Sequence, residues 1–320
     1  MIDRDSLPKL AGDLALALRE EVEPLLGHHP GRAHAGAGEG GDITFEIDER
    51  AEAFMERFLA DRAPDVAFYS EDRGFVSPGP EPNWVLVVDP IDGTRPAMAG
   101  FESACVSVAA APMSPEARLA DVEVGCIVEI KSGTSFLATR GEGVEPAATL
   151  SANTALDRMF WCYGLRGRPA VPMAEVLGEL IDGSSVGGST FDLGSATYDM
   201  TRIATGQLDA YIDVGRRIVD ECPETEAAFL EVGEGAVCTN FPYDVAAAAL
   251  IVQEAGGLVT HADGRSLDDH PAVGSSRAHG LAVLAAAGAE LHGSLLEAVD
   301  RGMHRLRDWV GRGGVDEGGR

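Results

Sequence analysis

The stretch that decides the fold is "NWVLVVDPIDGTR" (residues 83–95), in which an apolar run ends in two aspartates. The run is apolar enough to form a buried strand, and Asp92 follows Asp89 after one proline and one isoleucine. An ionised carboxylate inside a protein is costly unless hydrogen bonds or an opposite charge compensate it. The pair therefore predicts either a solvated turn or a cation site.

Other carboxylates stand where predicted strands end or predicted helices begin, namely Asp42, Asp48, Glu71 and Asp244. Such a set suits a hard cation, because Mg²⁺ takes oxygen ligands and keeps waters for a substrate phosphate. The spacing excludes an EF-hand loop, since Ile91 stands where that loop needs an acid. No G-x-x-x-x-G-K-[ST] phosphate loop is present either. A solvated turn would leave the other carboxylates unexplained, so we favour the cation site.

The composition limits the class of partner. The chain has 320 residues, with 45% hydrophobic and 24% charged residues, which indicates one large globular domain or two closely joined ones. Its net charge of −27 argues against a nucleic-acid partner, because a polyanion would be repelled and no basic run offsets the repulsion. The acidity suggests instead a cation-rich or high-salt setting.

The cysteines and the hydropathy of the chain indicate in which cellular compartment the protein is expected. Five cysteines are scattered without a C-x-x-C pair, which favours reduced thiols in a cytoplasm. The N-terminus lacks a signal-type apolar core, and no uncharged stretch reaches the roughly 18 residues that span a bilayer. We therefore expect a soluble cytoplasmic protein with no membrane partner.

Hydrophobic patterning outlines the elements and the domains. Helices are predicted at 6–26, 48–62, 195–207 and 244–257. Strands are predicted at 66–72, 83–89, 102–112 and 122–130, with a hairpin at 133–144 and a loop at 27–42. The pattern changes near 145–155 to alternating strands and helices. We therefore expect an N-terminal domain at 1–147, a C-terminal domain at 148–310 and a disordered tail at 311–320.

Five blocks stand in a characteristic order: "GGDITFEID" (40–48), "YSED" (69–72), "DPIDGT" (89–94), "LGSATYDMTRIATGQLDAYID" (193–213) and "YDVAAAALIVQEAGG" (243–257). Together they resemble the inositol monophosphatase family. The resemblance implies a Mg²⁺-dependent, typically lithium-sensitive phosphomonoesterase, related to fructose-1,6-bisphosphatases and bisphosphate nucleotidases. It also implies a mixed α+β and α/β fold, a layered α-β-α-β-α sandwich of the sugar-phosphatase type.

The resemblance also implies roles for individual residues. Two or three Mg²⁺ ions would be held by Glu71, Asp89, the Ile91 carbonyl, Asp92 and Asp244. Glu71 would also be catalytic, together with Asp48 and Thr94, which would orient the attacking water. Backbone N–H groups of Gly93 and Thr94 would bind the phosphate. Mn²⁺ would substitute for Mg²⁺, whereas Li⁺ and Ca²⁺ would inhibit.

Substrate contacts are implied at two further segments. Gly194, Ser195 and Asp213 would face the part of the substrate away from the phosphate, with Asp213 accepting hydrogen bonds from its hydroxyls. Arg95, next to the phosphate-binding residues, is a further candidate, and a surface ion pair is its alternative role.

The sequence departs from the family pattern at several points. Segment 95–102 differs, and the long insertion 216–242 leaves Asp220 as a rival to Asp244 for the last metal position. Asp244 is favoured because a helix follows it directly. An arginine usual before the "GS" pair is missing. Arg216 and Arg217 could pair with a second phosphate or face solvent.

These observations predict a phosphomonoesterase that acts on a small phosphorylated metabolite, a polyol or sugar phosphate. Inositol monophosphate comes first, fructose 1,6-bisphosphate second and 3′-phosphoadenosine-type nucleotides third. A non-catalytic family member that binds a phosphorylated ligand is the competing class. A homodimer is expected by analogy with the family.

Overall fold

The computed structural model describes residues 2–28, 34–37 and 43–314. Most of the predicted loop at 27–42, including Asp42, lies outside these residues, as do residues 315–320 of the predicted tail. Within the described part of that loop, His34–Ala37 forms a short strand, so the loop prediction was wrong there. No helix in the described ranges combines the length and apolar character that a membrane crossing requires.

The strands of the described residues form a two-stranded, a seven-stranded and a five-stranded sheet. The small sheet pairs β1 (His34–Ala37) with β2 (Ile43–Phe45). The seven-stranded sheet has the order β4-β3-β5-β6-β7-β8-β9, with β3 and β5 parallel and the other neighbours antiparallel. Its strands are β3 (Val66–Ser70), β4 (Gly74–Val76), β5 (Trp84–Asp92), β6 (Cys105–Pro112), β7 (Val124–Glu129), β8 (Ser135–Thr139) and β9 (Gly143–Glu145).

The five-stranded sheet lies in the second half of the chain. Its order is β11-β10-β12-β14-β13, in which β10 is parallel to both neighbours and β14 is antiparallel to both of its own. The strands are β10 (Phe160–Tyr163), β11 (Ser189–Phe191), β12 (Ala210–Asp213), β13 (Leu258–His261) and β14 (Val283–Ala286). This sheet accounts for the alternating pattern that the sequence shows after residue 155.

Helices cover both faces of each large sheet. They are α1 (Leu7–Val22), α2 (Glu46–Arg62), α3 (Thr94–Ala99), α4 (Ala170–Gly183), α5 (Ala196–Ala204), α6 (Gly215–Glu221), α7 (Glu226–Val232), α8 (Pro242–Glu254) and α9 (Ala289–Gly311). Helices α1 and α2 pack on the outer face of the seven-stranded sheet, α5 and α8 lie between the two sheets, and α4 and α9 cover the five-stranded sheet. The predicted α-β-α-β-α sandwich is confirmed.

Strand β5, in the middle of the seven-stranded sheet, is apolar along most of its length because both of its faces are covered. Its side chains alternate between two cores, with Val85 and Val87 facing α8 and Leu86 and Val88 facing α1 and α2. A strand covered on both faces reads as continuously apolar, because neither set of side chains meets water. Helix α8 is buried nearly all round for the same reason, since it lies between two sheets.

Candidate metal and substrate site

The two aspartates of the opening stretch lie at an irregular end of β5. In a regular strand, residues three apart point to opposite faces of the sheet. Here the pairing with β6 shifts, so that Asp89 lies opposite Ser107 but Asp92 lies opposite Cys105. The extra residue is a β-bulge, a feature that redirects side chains near functional sites. The bulge allows both carboxylates to point toward one place.

The turn between the aspartates is held from within. The Ile91 N–H donates to the Asp89 Oδ1 at 2.9 Å. Pro90 has no N–H to leave unpaired, which suits a bulge. Gly93 then has φ +92°, and a Cβ at this position would lie 2.5 Å from the Ser103 carbonyl oxygen. Only glycine fits this close approach, and α3 begins directly after it.

Asp244 joins the two aspartates from the first turn of α8. Carboxylate oxygens of Asp89, Asp92 and Asp244 all lie within 4.8 Å of one another. The Phe241 N–H donates to the Asp244 Oδ2 at 2.6 Å, which fixes the carboxylate at the helix start. Its rival Asp220 lies on α6, exposed and bonded to Arg216 at 2.9 Å. The structure therefore brings Asp244 to the cluster and leaves Asp220 outside it.

Asp48 and Thr94 form a second group beside the cluster. The Thr94 Oγ1 lies 3.0 Å from the Asp48 Oδ1 and 3.2 Å from the Ile91 carbonyl oxygen, so its proton is donated to one of these acceptors. Asp48 is 8% exposed, and its other oxygen accepts the Phe45 N–H at 2.9 Å. A hydroxyl whose proton is engaged keeps lone pairs to accept a hydrogen bond from water.

An acidic cleft opens over these groups, lined by Glu71, Asp89, Asp92, Thr94, Arg95 and Asp244. Glu71 follows directly on β3 and is half-buried. Ile91 and Gly93, the predicted carbonyl ligand and phosphate contact, also line the cleft. The Arg95 guanidinium lies 5.5 Å from the Phe45 ring centre, at the edge of the same cleft.

The carboxylates of the cleft destabilise one another's charge. Burial raises the pKa of Asp89 well above its usual value, and the charges of Glu71, Asp92 and Asp244 raise it further. Burial and then the Asp92 charge likewise raise the pKa of Asp244. Asp92 differs in part, because Thr197 N–H and Ser195 Oγ donate to it at 2.6 and 2.8 Å and oppose the effect of burial on its pKa. Buried, converging oxygen donors of this kind fit a hard divalent cation.

A second space, the adjoining cavity, continues from the acidic cleft and is lined by Arg166, Arg168, Asp192, Gly194, Asp199 and Asn240. Ser195 also lines it, but is 3% exposed and donates its hydroxyl to Asp92. Gly194, a predicted substrate contact, borders both spaces.

Asp213 is placed differently from the expectation. Its side chain has 0% exposure, and Arg168 donates to both of its oxygens through Nε and Nη2. The Gly215 N–H is a further donor to Asp213, at 2.9 Å. In this structure Asp213 is therefore a partner of Arg168, because both of its carboxylate oxygens accept from that guanidinium. Arg216 and Arg217 line a separate cavity with His261 and His270.

The sequence interpretation missed the residues that support or extend the site. Thr197 N–H donates to Asp92. Buried Glu52 binds the residues on either side of Glu71, because it accepts from Ser70 Oγ at 2.8 Å and from Asp72 N–H at 3.3 Å. Arg166 and Arg168 were also missed. A signal for them exists in "YGLRGRPA" (163–170), where glycines and arginines alternate directly after a strand.

Comparisons with known proteins agree with this geometry. Residues 4–304 match the inositol monophosphatase family. The chain is 28% identical, over 90% of its length and 95% of the relative's, to the fructose-1,6-bisphosphatase/inositol-1-monophosphatase of Methanothermobacter thermautotrophicus. It is 25% identical to the Nus factor SuhB of Vibrio cholerae, over 68% of this chain and 72% of that protein.

A solved structure gives the same fold. The inositol monophosphatase from Anabaena (Nostoc) superposes with a TM-score of 0.66 at 20% identity, over 93% of this chain and 96% of that one.

Proposed function

The chain belongs to the inositol monophosphatase family of phosphoric monoester hydrolases, and we propose that it is a Mg²⁺-dependent phosphatase of small polyol or sugar phosphates. Inositol monophosphate is the first substrate of this proposal. The observation that carries it is the convergence of Asp89, Asp92 and Asp244 within 4.8 Å, next to the Asp48–Thr94 pair.

The metal assignment follows from the chemistry of the donors. The site offers only oxygen donors, which suit Mg²⁺ or Mn²⁺ better than softer metals. These donors are Glu71, Asp89, the Ile91 carbonyl, Asp92 and Asp244. Bound Mg²⁺ would supply charge stabilisation and make a nearby water more acidic. Two or three ions would balance the carboxylates, and Li⁺ and Ca²⁺ are expected to inhibit.

The chain's own residues supply orientation. With its proton donated to Asp48, the Thr94 hydroxyl accepts a hydrogen bond from the attacking water and aligns it with the phosphorus. As Thr94 takes a proton from the water, it would pass its own proton to Asp48, which is the final acceptor. We assign the N–H groups of Gly93 and Thr94 as donors to the phosphate oxygens, because Gly93 is left-handed and α3 begins at Thr94.

Fructose 1,6-bisphosphate is the second candidate substrate. It is favoured by the name of the Methanothermobacter relative, which pairs both activities. Nucleotides of the 3′-phosphoadenosine type are third. A non-catalytic family member that binds a phosphorylated ligand is the competing class.

Further parts of the proposal concern the whole chain. We assign a domain around each large sheet, at 1–147 and 148–310, and a cytoplasmic location in keeping with the free cysteines. A homodimer is proposed on family analogy.

The test is phosphate release from a panel of phosphate esters, with Mg²⁺ and with a chelator. Asp244→Asn should lower turnover about 100-fold or more, because it removes one carboxylate of the cluster. Asp220→Asn is the matched control, since Asp220 is exposed on α6, and should keep wild-type turnover. Binding of the esters without turnover in saturating Mg²⁺ would favour the non-catalytic role.

A further inference from the structure

Thr197 makes hydrogen bonds to two residues of the carboxylate cluster at once. It lies in the first turn of α5, between the two large sheets, and is 0% exposed. Its N–H donates to the Asp92 Oδ2 at 2.6 Å, and its Oγ1 donates to the Asp244 carbonyl oxygen at 3.0 Å. Asp92 belongs to β5 and Asp244 to α8, so Thr197 joins the two elements that carry these carboxylates.

The direction of the Thr197 hydroxyl sets it apart from another threonine of the same helix. A helical threonine commonly donates its hydroxyl to a carbonyl of its own helix, three or four residues back. Thr201 does this, because its Oγ1 donates to the Tyr198 carbonyl oxygen at 2.7 Å. Since α5 begins at Ala196, no helical carbonyl lies that far behind Thr197. Its hydroxyl therefore adds no bond within α5 and instead joins α5 to α8.

The bond to α8 bears on where the Asp244 carboxylate lies. The Phe241 N–H donates to the Asp244 Oδ2 at 2.6 Å, so this carboxylate is fixed relative to the start of α8. The Thr197 hydroxyl attaches the backbone of Asp244 to α5. The Thr197 N–H attaches the Asp92 carboxylate to the same residue. The spacing between the two carboxylates therefore depends on Thr197.

This spacing matters more for some ions than for others. Mg²⁺ requires near-ideal octahedral geometry, with oxygens at about 2.0–2.1 Å, whereas Ca²⁺ accepts a flexible arrangement at about 2.3–2.6 Å. A small change in the distance between Asp92 and Asp244 should therefore weaken Mg²⁺ binding more than Ca²⁺ binding. Loss of a group that orients a metal ligand typically lowers metal affinity about 10- to 100-fold.

We propose that Thr197 is a positioning residue that sets the spacing of Asp92 and Asp244 and thereby favours Mg²⁺ over Ca²⁺. The inference rests on the proposed function, because it takes the carboxylate cluster as the Mg²⁺ site. Thr197 has no exposed surface, so it acts through Asp92 and Asp244 and contacts neither ion nor substrate. The preference for the ion would then depend on a residue that donates no atom to it.

The experiment measures metal binding without substrate. Free Mn²⁺ is counted by electron paramagnetic resonance as protein is added, and Mg²⁺ or Ca²⁺ then competes for the site. Thr197→Val keeps the side-chain shape and the N–H but removes the hydroxyl. It should weaken Mg²⁺ binding about 10-fold and Ca²⁺ binding by less than about 3-fold, so that the ratio of the two dissociation constants changes. Thr197→Ser keeps the hydroxyl and should restore the wild-type ratio.

Thr201→Val is the matched control. Thr201 is on the same helix, is also 0% exposed and also donates its hydroxyl to a backbone carbonyl, although it accepts from Arg202 at 3.1 Å as well. Both valine variants lose a buried hydrogen bond, so both should melt at a lower temperature than the wild type. Only Thr197→Val should change the ratio of Mg²⁺ to Ca²⁺ affinity. A purely structural role of Thr197 would lower the melting temperature and leave that ratio as it is.

Two further measurements separate this inference from the proposed function. Asp92→Asn identifies the Mn²⁺ ions that bind at the cluster, because their binding should be lost in this variant. If the wild type binds Mn²⁺ there but hydrolyses no phosphate ester, the proposed function fails, and the affinity ratio still judges Thr197. If it does hydrolyse them, Thr197→Val should raise the Mg²⁺ concentration for half-maximal activity and keep most of kcat at saturating Mg²⁺. A wild type that binds no Mn²⁺, or an unchanged affinity ratio in Thr197→Val, would overturn the inference.

Discussion

The hydroxyl of Thr94 has a proposed role that can be tested separately from metal binding. It contacts Asp48 Oδ1 and the Ile91 carbonyl and would align the attacking water. Thr94→Ala should therefore lower kcat about 100-fold or more with little change in KM, because the hydroxyl acts on the reacting water. Thr94→Ser should keep most of the activity. Steady-state kinetics measure both, with Thr134→Ala, at an exposed surface threonine, as the control.

Buried Glu52 predicts a pH dependence of stability. It is 1% exposed, and burial raises its pKa from the usual 4.5 to about 7. The folded state thus binds the proton more tightly than the unfolded state. Protonated Glu52 therefore contributes fully to the free energy of unfolding below about pH 4.5. This contribution is lost as the pH rises to about 7. The loss is on the order of 3 kcal/mol.

Glu52→Gln should flatten this part of the stability curve, because the amide carries no charge at any of these pH values. Denaturant unfolding of the metal-free protein at a series of pH values measures it, with Glu56→Gln on the exposed side of the same helix as the control. An unchanged slope between pH 4.5 and 7 in the Glu52→Gln protein would contradict the assignment.

The residues that could be predicted from sequence are those whose signal is local. Asp89 and Asp92 follow an apolar run, and their neighbours form a motif. The pairing of Asp213 with Arg168 joins residues 45 positions apart and appears only after β12 and the loop that follows β10 meet. The bulge that aligns Asp89 with Asp92 is likewise defined only against its partner strand β6.

At the scale of elements, two helix starts use the same device. Both α2 and α8 begin after a phenylalanine, and the aspartate three residues later accepts that residue's N–H at 2.9 and 2.6 Å. The sequences are "FEID" (45–48) and "FPYD" (241–244). A carboxylate in the first turn is stabilised by the helix N-terminus. The shared pattern places one carboxylate of each helix at the site, and it is readable from sequence.

The packing of α4 on α9 depends on one glycine. A Cβ at Gly302 of α9 would lie 2.0 Å from the Val176 carbonyl oxygen of α4, whereas a Cβ at Gly293 of α9 meets nothing within 4 Å. Gly302→Ala should therefore destabilise the protein by roughly 1–3 kcal/mol, because the helices must separate. Gly293→Ala should stabilise it by up to about 1 kcal/mol through helix propensity. Denaturant unfolding of the pair decides whether the close contact exists.

The boundaries of most predicted elements in the first half agree with the structure to within a few residues, as for α1, α2 and β5. Elements of the second half were harder, because β10 to β12 are only three or four residues long. Helices α6 and α7 lie in the segment 216–242 that was treated as an insertion without assigned structure. Short strands and short helices leave little periodicity to detect.

At the scale of the whole molecule, the net charge of −27 should make stability sensitive to salt. Like charges repel most in the compact state, and salt screens exposed charges separated by more than about 10 Å at 0.1 M. The melting temperature should therefore rise as KCl is increased from about 0.05 to about 0.5 M. Repeating the measurement with sucrose separates screening from general solute exclusion. A melting temperature that falls with KCl would contradict this view of the surface.

The fold brings carboxylates that are distant in sequence into one cluster. Asp89 and Asp92 come from the seven-stranded sheet, whereas Asp244 comes from α8, between the two large sheets. The layered order of the sandwich could be expected from the family resemblance. The contacts that close the site, such as Ser195 and Thr197 on Asp92, could not, because they link residues more than 100 positions apart.

The most direct test is the Mg²⁺ dependence of phosphate release by the wild type and by Asp92→Asn. Inositol 1-phosphate and fructose 1,6-bisphosphate serve as substrates. The wild type should release phosphate only when Mg²⁺ is present, and Asp92→Asn should lose nearly all of this activity. Turnover that persists in a chelator, or full activity of Asp92→Asn, would contradict the assignment of the carboxylate cluster as the metal site.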